Sequence, residues 1–254
     1  MPILTLAKQQ LRKMPRVKHA VSNLRRIMRG QRALTRGSIY DDGFLVKLLG
    51  KPNPVILDIG CNDGGDSLWL LELFKDARVF SFEPDPRARK RYVDKINDPR
   101  AKLFAVAISS ENGEAQFNVS DGRHPDEDEI GIHCQEGWDL SGSLRKPKAH
   151  VEAHPWVTFD RTITVETMKL DTWRKENRVG DIDLIWADVQ GAEADLIAGG
   201  TEALKKTRFI YTEYNDQELY EGQMNLASLL RILPDFKLLH DYGNDVLLKN
   251  RNLS

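Results

Sequence analysis

The stretch VILDIGCNDGG, Val55–Gly65, decides the fold of this chain. Its first apolar residues have the pattern of a buried strand that ends near Asp58. Glycines and small polar residues follow, and apolar residues then recur at helical spacing, at Leu68, Leu71 and Phe74. This order predicts a strand, a glycine turn and a helix. Because glycine has no Cβ, such a turn lets the backbone approach a bound nucleoside-like cofactor closely.

The turn favours S-adenosylmethionine over a dinucleotide. The dinucleotide fingerprint needs a second glycine against the pyrophosphate, and Asn62 stands in its place. Asp63 would repel a phosphate, whereas Asp58 suits the ammonium group of the methionine part. Glu83 ends a second apolar run and is placed to accept the ribose hydroxyls. An acid at that position is shared with NAD-binding proteins, so only the turn discriminates.

Five motifs resemble the FkbM-type class I methyltransferases over roughly residues 40–215: DIGCNDGGDS (58–67), FEPDP (82–86), AVAIS (105–109), LDTW (170–173) and DLIWADVQGAEADLIAGG (183–200). Two departures stand out. The family usually has glutamate where Gln190 stands, and often lysine where Trp186 or Ala187 stands.

The resemblance implies S-adenosylmethionine as cofactor and a hydroxyl of a sugar, a surface glycan or a natural product as acceptor. We expect the methionine part to be held by the turn and the adenine to be flanked by the third strand. The predicted cofactor-binding residues are Asp58, Gly60, Asn62, Gly64, Glu83, Ala107 and Ile108.

The rest of the chain alternates strands and helices, as in a doubly wound sheet. We predict strands at 55–59, 78–82, 102–108, 183–188 and 208–213, with helices at 65–75, 86–97, 191–199 and 201–206. FKLLHDY and DVLLK, separated by Gly243-Asn244, indicate a C-terminal hairpin. The expected fold is α/β, a seven-stranded, mostly parallel class I methyltransferase sheet with an antiparallel C-terminal hairpin strand and helices on both faces.

Methyl transfer to a hydroxyl needs a base or a metal ion, because a neutral hydroxyl is a poor nucleophile. Asp188, at the tip of the fourth strand, is the first catalytic candidate, although a backbone cap of the following turn is an alternative. Glu213 and Glu193 are its candidate helpers, and Glu193 is equally expected to be a helix N-terminal charge. Asp188 and Glu213 are also candidate ligands of a divalent metal such as Mg²⁺.

Composition indicates one enzyme domain, residues 40–254, preceded by an N-terminal arm, residues 1–39. Apolar runs stay well below the roughly 20 residues that span a bilayer. No signal peptide pattern is present, and two cysteines cannot form a disulfide framework. We therefore expect a cytoplasmic protein.

The arm is basic and amphipathic. Residues 1–40 contain ten Lys or Arg and no Asp or Glu, although the whole chain has a net charge of −1. Three interpretations stay open: helices packed on the domain or in a homo-oligomer, peripheral contact with the inner face of a membrane, and binding of nucleic acid. Residues 1–39 contain no aromatic residue, which makes nucleic acid the weakest of the three.

A long insertion, about residues 110–180, separates the third and fourth strands of the expected sheet. It contains a predicted strand pair, 114–119 and 163–168, and we expect it to act as a lid or binding loop. The residues His124, His133, Cys134, His150 and His154 match no zinc spacing, so surface histidines are expected.

Two other classes of function compete with O-methylation. One is an RNA methyltransferase, in which the basic arm would supply the electrostatic contact. The other is a non-catalytic assembly protein that retains the cofactor fold, with Gln190 as a sign of lost activity.

Overall fold

The computed structural model describes residues 42–125 and 137–253. The basic arm lies outside the described residues. So do His133 and Cys134 of the insertion. Within the described ranges, no helix combines the length and the apolar character that a membrane span requires.

The strands, in chain order, are β1 (Val55–Ile59), β2 (Arg78–Phe82), β3 (Ala101–Phe104), β4 (Ala107–Ile108), β5 (Gly113–Gly122), β6 (Val157–Met168), β7 (Ile182–Ala187), β8 (Thr207–Glu213), β9 (Phe236–Asp241) and β10 (Asp245–Asn250). The helices are α1 (Asp42–Leu49), α2 (Gly65–Leu73), α3 (Pro86–Lys95), α4 (His150–Ala153), α5 (Leu170–Glu176), α6 (Glu193–Gly199), α7 (Thr201–Leu204) and α8 (Leu226–Ile232).

Seven strands form the main sheet in the order β3-β2-β1-β7-β8-β10-β9. The first five run parallel, and β10 pairs antiparallel with both β8 and β9. This arrangement confirms the expected class I methyltransferase fold with its antiparallel C-terminal hairpin strand. The β1–turn–α2 unit lies at the centre of the sheet.

Alternation along the central strands builds a core on each face of the sheet. On β7, Leu184 and Trp186 face a core that includes α1, α2 and α3, whereas Ile185 and Ala187 face a core that includes α5 to α8. Trp173 of α5 is fully buried in the second core, in edge-on contact with aromatic rings of β2 and β3. Both faces of the sheet are therefore covered, as a parallel sheet requires.

Most predicted elements are confirmed with shifts of a few residues at their ends. The predicted strand 102–108 is wrong in one respect, because the chain divides it between two sheets. Residues 101–104 belong to the main sheet, and 107–108 pair with β6 of the insertion. Ala107 and Ile108 thereby join the insertion to the main domain.

The insertion forms a small sheet of its own, in the order β4-β6-β5. Its predicted strand pair is confirmed, although β5 and β6 extend beyond the predicted ends. The expectation of surface histidines is wrong for His150, which is 3% exposed. Its ring packs 5.1 Å from that of Tyr220 and 4.8 Å from that of His154, with ring centroids as the reference points.

The ends of β1 and β7 meet at Gly60. A Cβ on Gly60 would lie 1.8 Å from the carbonyl oxygen of Asp188, and the glycine has φ of +82°. The Asp188 amide donates a hydrogen bond to the Ile59 carbonyl oxygen at 2.9 Å, which fixes the approach. Only glycine satisfies both the space and the backbone conformation.

We expect Gly60→Ala to lower the free energy of unfolding by more than about 1–2 kcal/mol, the cost of a left-handed non-glycine residue alone. Displacement of the Asp188 carbonyl adds to that cost. Gly180→Ala is the matched control, because a Cβ there meets no atom within 4 Å. Chemical denaturation compares the two variants, and equal stabilities would contradict the proposed constraint.

Candidate active site

A cleft opens at the carboxyl ends of β1, β2 and β7, the edge at which parallel α/β sheets bind ligands. The empty space between its walls and in its open mouth amounts to about 620 Å³. Six of the ten residues predicted for the site line it: Gly60, Asn62, Glu83, Ala107, Ile108 and Asp188.

The insertion forms one wall of this cleft. The sequence predicted a lid or binding loop here but did not identify the residues that line the cleft. The lining residues of the insertion are Phe117, Asp139, Leu140, Gly142 and Leu144. The apolar surface of the cleft comes from Phe117, Leu140 and Leu144 of the insertion and from Phe82, Val106 and Ile108. The carboxylates of Glu83 and Asp139 supply hydrogen-bond acceptors. Such a mixture suits an adenosine group, which has a flat apolar base and a polar sugar.

Glu83 is held by the backbone around it. Its Oε2 accepts a hydrogen bond from the Asn62 amide at 2.9 Å, and its Oε1 accepts one from the Asp85 amide at 2.7 Å. Burial raises its pKa to about 8, against the opposing effect of these two bonds. Each carboxylate oxygen retains a second lone pair for a ligand hydroxyl.

Asp58 and Gly64 do not line the cleft. The Asp58 carboxylate is buried behind the turn, where the Ser67 hydroxyl donates to its Oδ2 at 2.5 Å. Burial, reinforced by Asp66, raises the pKa of Asp58 to about 8. A Cβ on Gly64 would lie 2.5 Å from the Tyr92 ring. Both residues shape the turn, so their predicted contacts with the cofactor have no support in the cleft geometry.

Asp188 extends into the cleft and is bridged to Glu213 by the side-chain amide of Gln190. The amide donates to Asp188 Oδ1 at 2.5 Å and approaches Glu213 Oε2 at 3.4 Å. The alternative role for Asp188, a backbone cap, is not observed: helix α6 begins at Glu193, with Ala192 as its N-cap.

Gln190 also connects the catalytic edge to the insertion. The Tyr220 hydroxyl oxygen lies 2.8 Å from the Ser141 carbonyl oxygen and 3.0 Å from Gln190 Oε1, and its single proton is shared between these two acceptors. The Ser143 hydroxyl donates to the Gln190 carbonyl oxygen at 2.7 Å. With φ of +50°, Gln190 takes a left-handed backbone conformation that this network holds in place.

The carboxylates at this edge perturb each other. Protein atoms crowd the Asp188 carboxyl, and this desolvation, with the charges of Asp245 and Asp66, raises its pKa to about 6. Its side chain still contacts solvent in the cleft. The charge of Asp188, followed by burial, raises the pKa of Glu213 well above its usual value. The pair therefore retains a proton to higher pH than two independent carboxyls would.

Glu193 lies beneath the turn and outside the cleft lining. It is 2% exposed, and its Oε1 accepts a hydrogen bond from the Gly191 amide at 3.2 Å. Burial raises its pKa to about 7. This position favours the alternative interpretation, a charge at the N-terminus of α6, over contact with an acceptor.

The predicted metal site at Asp188 and Glu213 is not supported by the surrounding residues. Across residues 42–125 and 137–253, no three His, Cys, Asp or Glu side chains are grouped to hold a metal ion. Between the two carboxylates lies the Gln190 amide, which already supplies positive N–H groups. The metal site at Asp188 and Glu213 therefore stays a prediction.

The sheet order, the glycine turn at its centre and the cleft beside it define a class I S-adenosylmethionine-dependent methyltransferase. The profile of the Methyltransferase FkbM domain matches residues 58–246, and the chain belongs to this family.

Comparison with known proteins agrees with this assignment. The chain is 52% identical over 214 residues to 2-O-methyltransferase NoeI of Sinorhizobium fredii, which covers 82% of this chain and 84% of the relative. It is also 26% identical over 190 residues to AMB antimetabolite synthetase AmbE of Pseudomonas aeruginosa, covering 65% of this chain and 8% of that protein. Among solved structures, methyltransferase FkbM from Methylobacillus flagellatus superposes with a TM-score of 0.45 at 14% identity, covering 78% of this chain and 44% of that one.

We expect Gln190→Glu to destabilise the protein by about 1 kcal/mol at pH 8, because a donor is replaced by another carboxylate. Because the pKa of Asp188 is raised in the folded state, the folded variant binds more protons than the unfolded one. Its loss of stability relative to the parent therefore shrinks as pH falls through about 6. Gln116→Glu on the exposed face of β5 is the matched control. Denaturation at pH 5 and pH 8 measures both, and a pH-independent deficit would contradict the charge argument.

Proposed function

We propose that the enzyme methylates a hydroxyl oxygen, with Asp188 as the general base. The observation that carries this proposal is the position of Asp188 in the cleft. Of the cleft-lining carboxylates among the described residues, Glu83 and Asp139 lie on the β2 side, where the ribose is expected. Asp188 lies across Gly60 from them, on the side left for an acceptor.

The state of Asp188 suits this task. With a pKa near 6 it is ionised at neutral pH and more basic than an ordinary aspartate. Gln190 occupies its Oδ1, which leaves Oδ2 to accept the proton of an acceptor hydroxyl. S-adenosylmethionine supplies an activated methyl group, so the chain has to align the acceptor oxygen and remove its proton.

The acceptor class follows from the relatives. The related NoeI is described as a 2-O-methyltransferase, and the family resemblance implies hydroxyls of sugars, glycans or natural products. We propose that the acceptor is a sugar and that the methyl group is transferred to one of its hydroxyl oxygens. A panel of oligosaccharides incubated with methyl-labelled cofactor tests this, and label found only on nitrogen would overturn it.

Asp188→Asn should lower kcat/KM by about 10²–10⁴, the usual contribution of a positioned base. In the parent enzyme, kcat/KM should fall tenfold per pH unit below about 6, since protonated Asp188 cannot accept a proton. Calorimetry with S-adenosylhomocysteine should give the same affinity for the variant and the parent.

Glu213→Gln is the control for this experiment. Because Glu213 does not line the cleft and its raised pKa favours the neutral form, its amide isostere should retain most of the activity. A flat acid limb in the parent profile, or equal losses in the two variants, would contradict the role of Asp188.

We further propose that the reaction needs no divalent ion, because the Gln190 amide occupies the space between the two carboxylates. Initial rates measured with EDTA and with added Mg²⁺ should agree within about twofold. Loss of activity in EDTA that Mg²⁺ restores would contradict this. The contacts of the basic arm with a membrane, a second copy or RNA stay predictions.

A further inference from the structure

One carboxylate oxygen in the cleft is buried without a hydrogen-bond partner. Asp139 is 5% exposed and lines the cleft, yet its Oδ1 makes no hydrogen bond. The other oxygen, Oδ2, pairs with the guanidinium of Arg91 from α3. Buried carboxylate oxygens are costly to leave unsatisfied, so a donor from a ligand is expected at Oδ1.

The neighbours of Asp139 place this residue on the cofactor side of the cleft. The Asn62 side-chain amide donates to the Asp139 carbonyl oxygen at 3.1 Å, and Arg91 donates to both side chains. Asn62 also donates its backbone amide to Glu83. The two carboxylates are close enough for the charge of Asp139 to act on Glu83.

From this geometry we infer that Asp139 is a second ribose-binding residue, which the insertion contributes to the cofactor site. The inference rests on the proposed placement of the cofactor, with its ribose at Glu83. A ribose offers two adjacent hydroxyls, each an O–H donor. Glu83 accepts from one and Asp139 Oδ1 from the other, so a diol satisfies both buried carboxylates at once.

This arrangement has a structural consequence for the insertion. Asp139 is followed by Leu140, Gly142 and Leu144, which also line the cleft. A hydrogen bond from the ribose to Asp139 therefore stabilises the wall of the cleft that lies against the cofactor.

The test uses the full-length protein and calorimetry with three probes: S-adenosylhomocysteine and its 2′-deoxy and 3′-deoxy analogues. We expect Asp139→Ala to weaken S-adenosylhomocysteine binding by about 10- to 100-fold, as loss of a hydrogen bond to a charged group does. The analogue that lacks the hydroxyl held by Asp139 should bind the variant and the parent within about threefold. The other analogue should bind Asp139→Ala more weakly than the parent, by the same factor as S-adenosylhomocysteine does.

Two variants serve as references. With Glu83→Ala, the two analogues should exchange their behaviour: the one that loses affinity in Asp139→Ala should now bind as it does to the parent. Asp160 is an exposed carboxylate of the same insertion, and Asp160→Ala should bind all three probes as the parent does. Asp139→Asn preserves the side-chain volume and shows whether Asp139→Ala merely unfolds the loop.

Three outcomes are separable. An unchanged affinity in Asp139→Ala overturns the inference. Equal losses for all three probes also overturn it, because they indicate a structural role through Arg91. If the parent and Asp160→Ala fail to bind S-adenosylhomocysteine, the placement of the cofactor itself fails, and the inference falls with it.

Discussion

The contact between the ends of β1 and β7 sets the geometry on which the rest of the site depends. At Gly60 the backbone of β1 leaves no room for a side chain beside the carbonyl of Asp188. This approach brings the glycine turn and the catalytic candidate to one edge of one cleft. It also divides the cleft, because Glu83 lies on one side of Gly60 and Asp188 on the other.

A second constraint is the number of carboxylates at this edge. Burial, together with the charges of neighbouring carboxylates, raises the pKa values of six of them: Asp58, Asp66, Glu83, Asp188, Glu193 and, with the charge of Asp188 as the larger cause, Glu213. Raised pKa values favour the neutral, protonated form of these groups and so reduce their mutual repulsion. Around Asp188 and Glu213 the amide of Gln190 reduces it further.

The sequence predicted the main sheet well, because buried parallel strands and glycine turns have strong local patterns. Residues that end strands, such as Glu83 and Asp188, could be placed for the same reason. Asp58 shows the limit of this reasoning: a carboxylate at a strand end can face the ligand or, as here, a hydroxyl inside the turn. Asp139 and Tyr220 could not be placed, since only long-range packing brings the irregular insertion with Asp139 to the cleft and Tyr220 against Ser141 of that insertion. The phrase DLSGSL carries small residues but no periodicity that would have identified Asp139.

Gln190 explains how this chain can differ from relatives that have glutamate at the same position. A glutamate there would place three carboxylates within one hydrogen-bond network and would require a proton or a cation to hold them together. The amide removes that requirement and, through Tyr220 and Ser143, fixes the insertion against the catalytic edge. Gln190 is thus compatible with the proposed role of Asp188 as the base, because the amide orients its carboxylate. The same network ties the insertion to Asp188 through Gln190, while Asp139 of the insertion lies beside Asn62, so the insertion contacts both sides of the cleft.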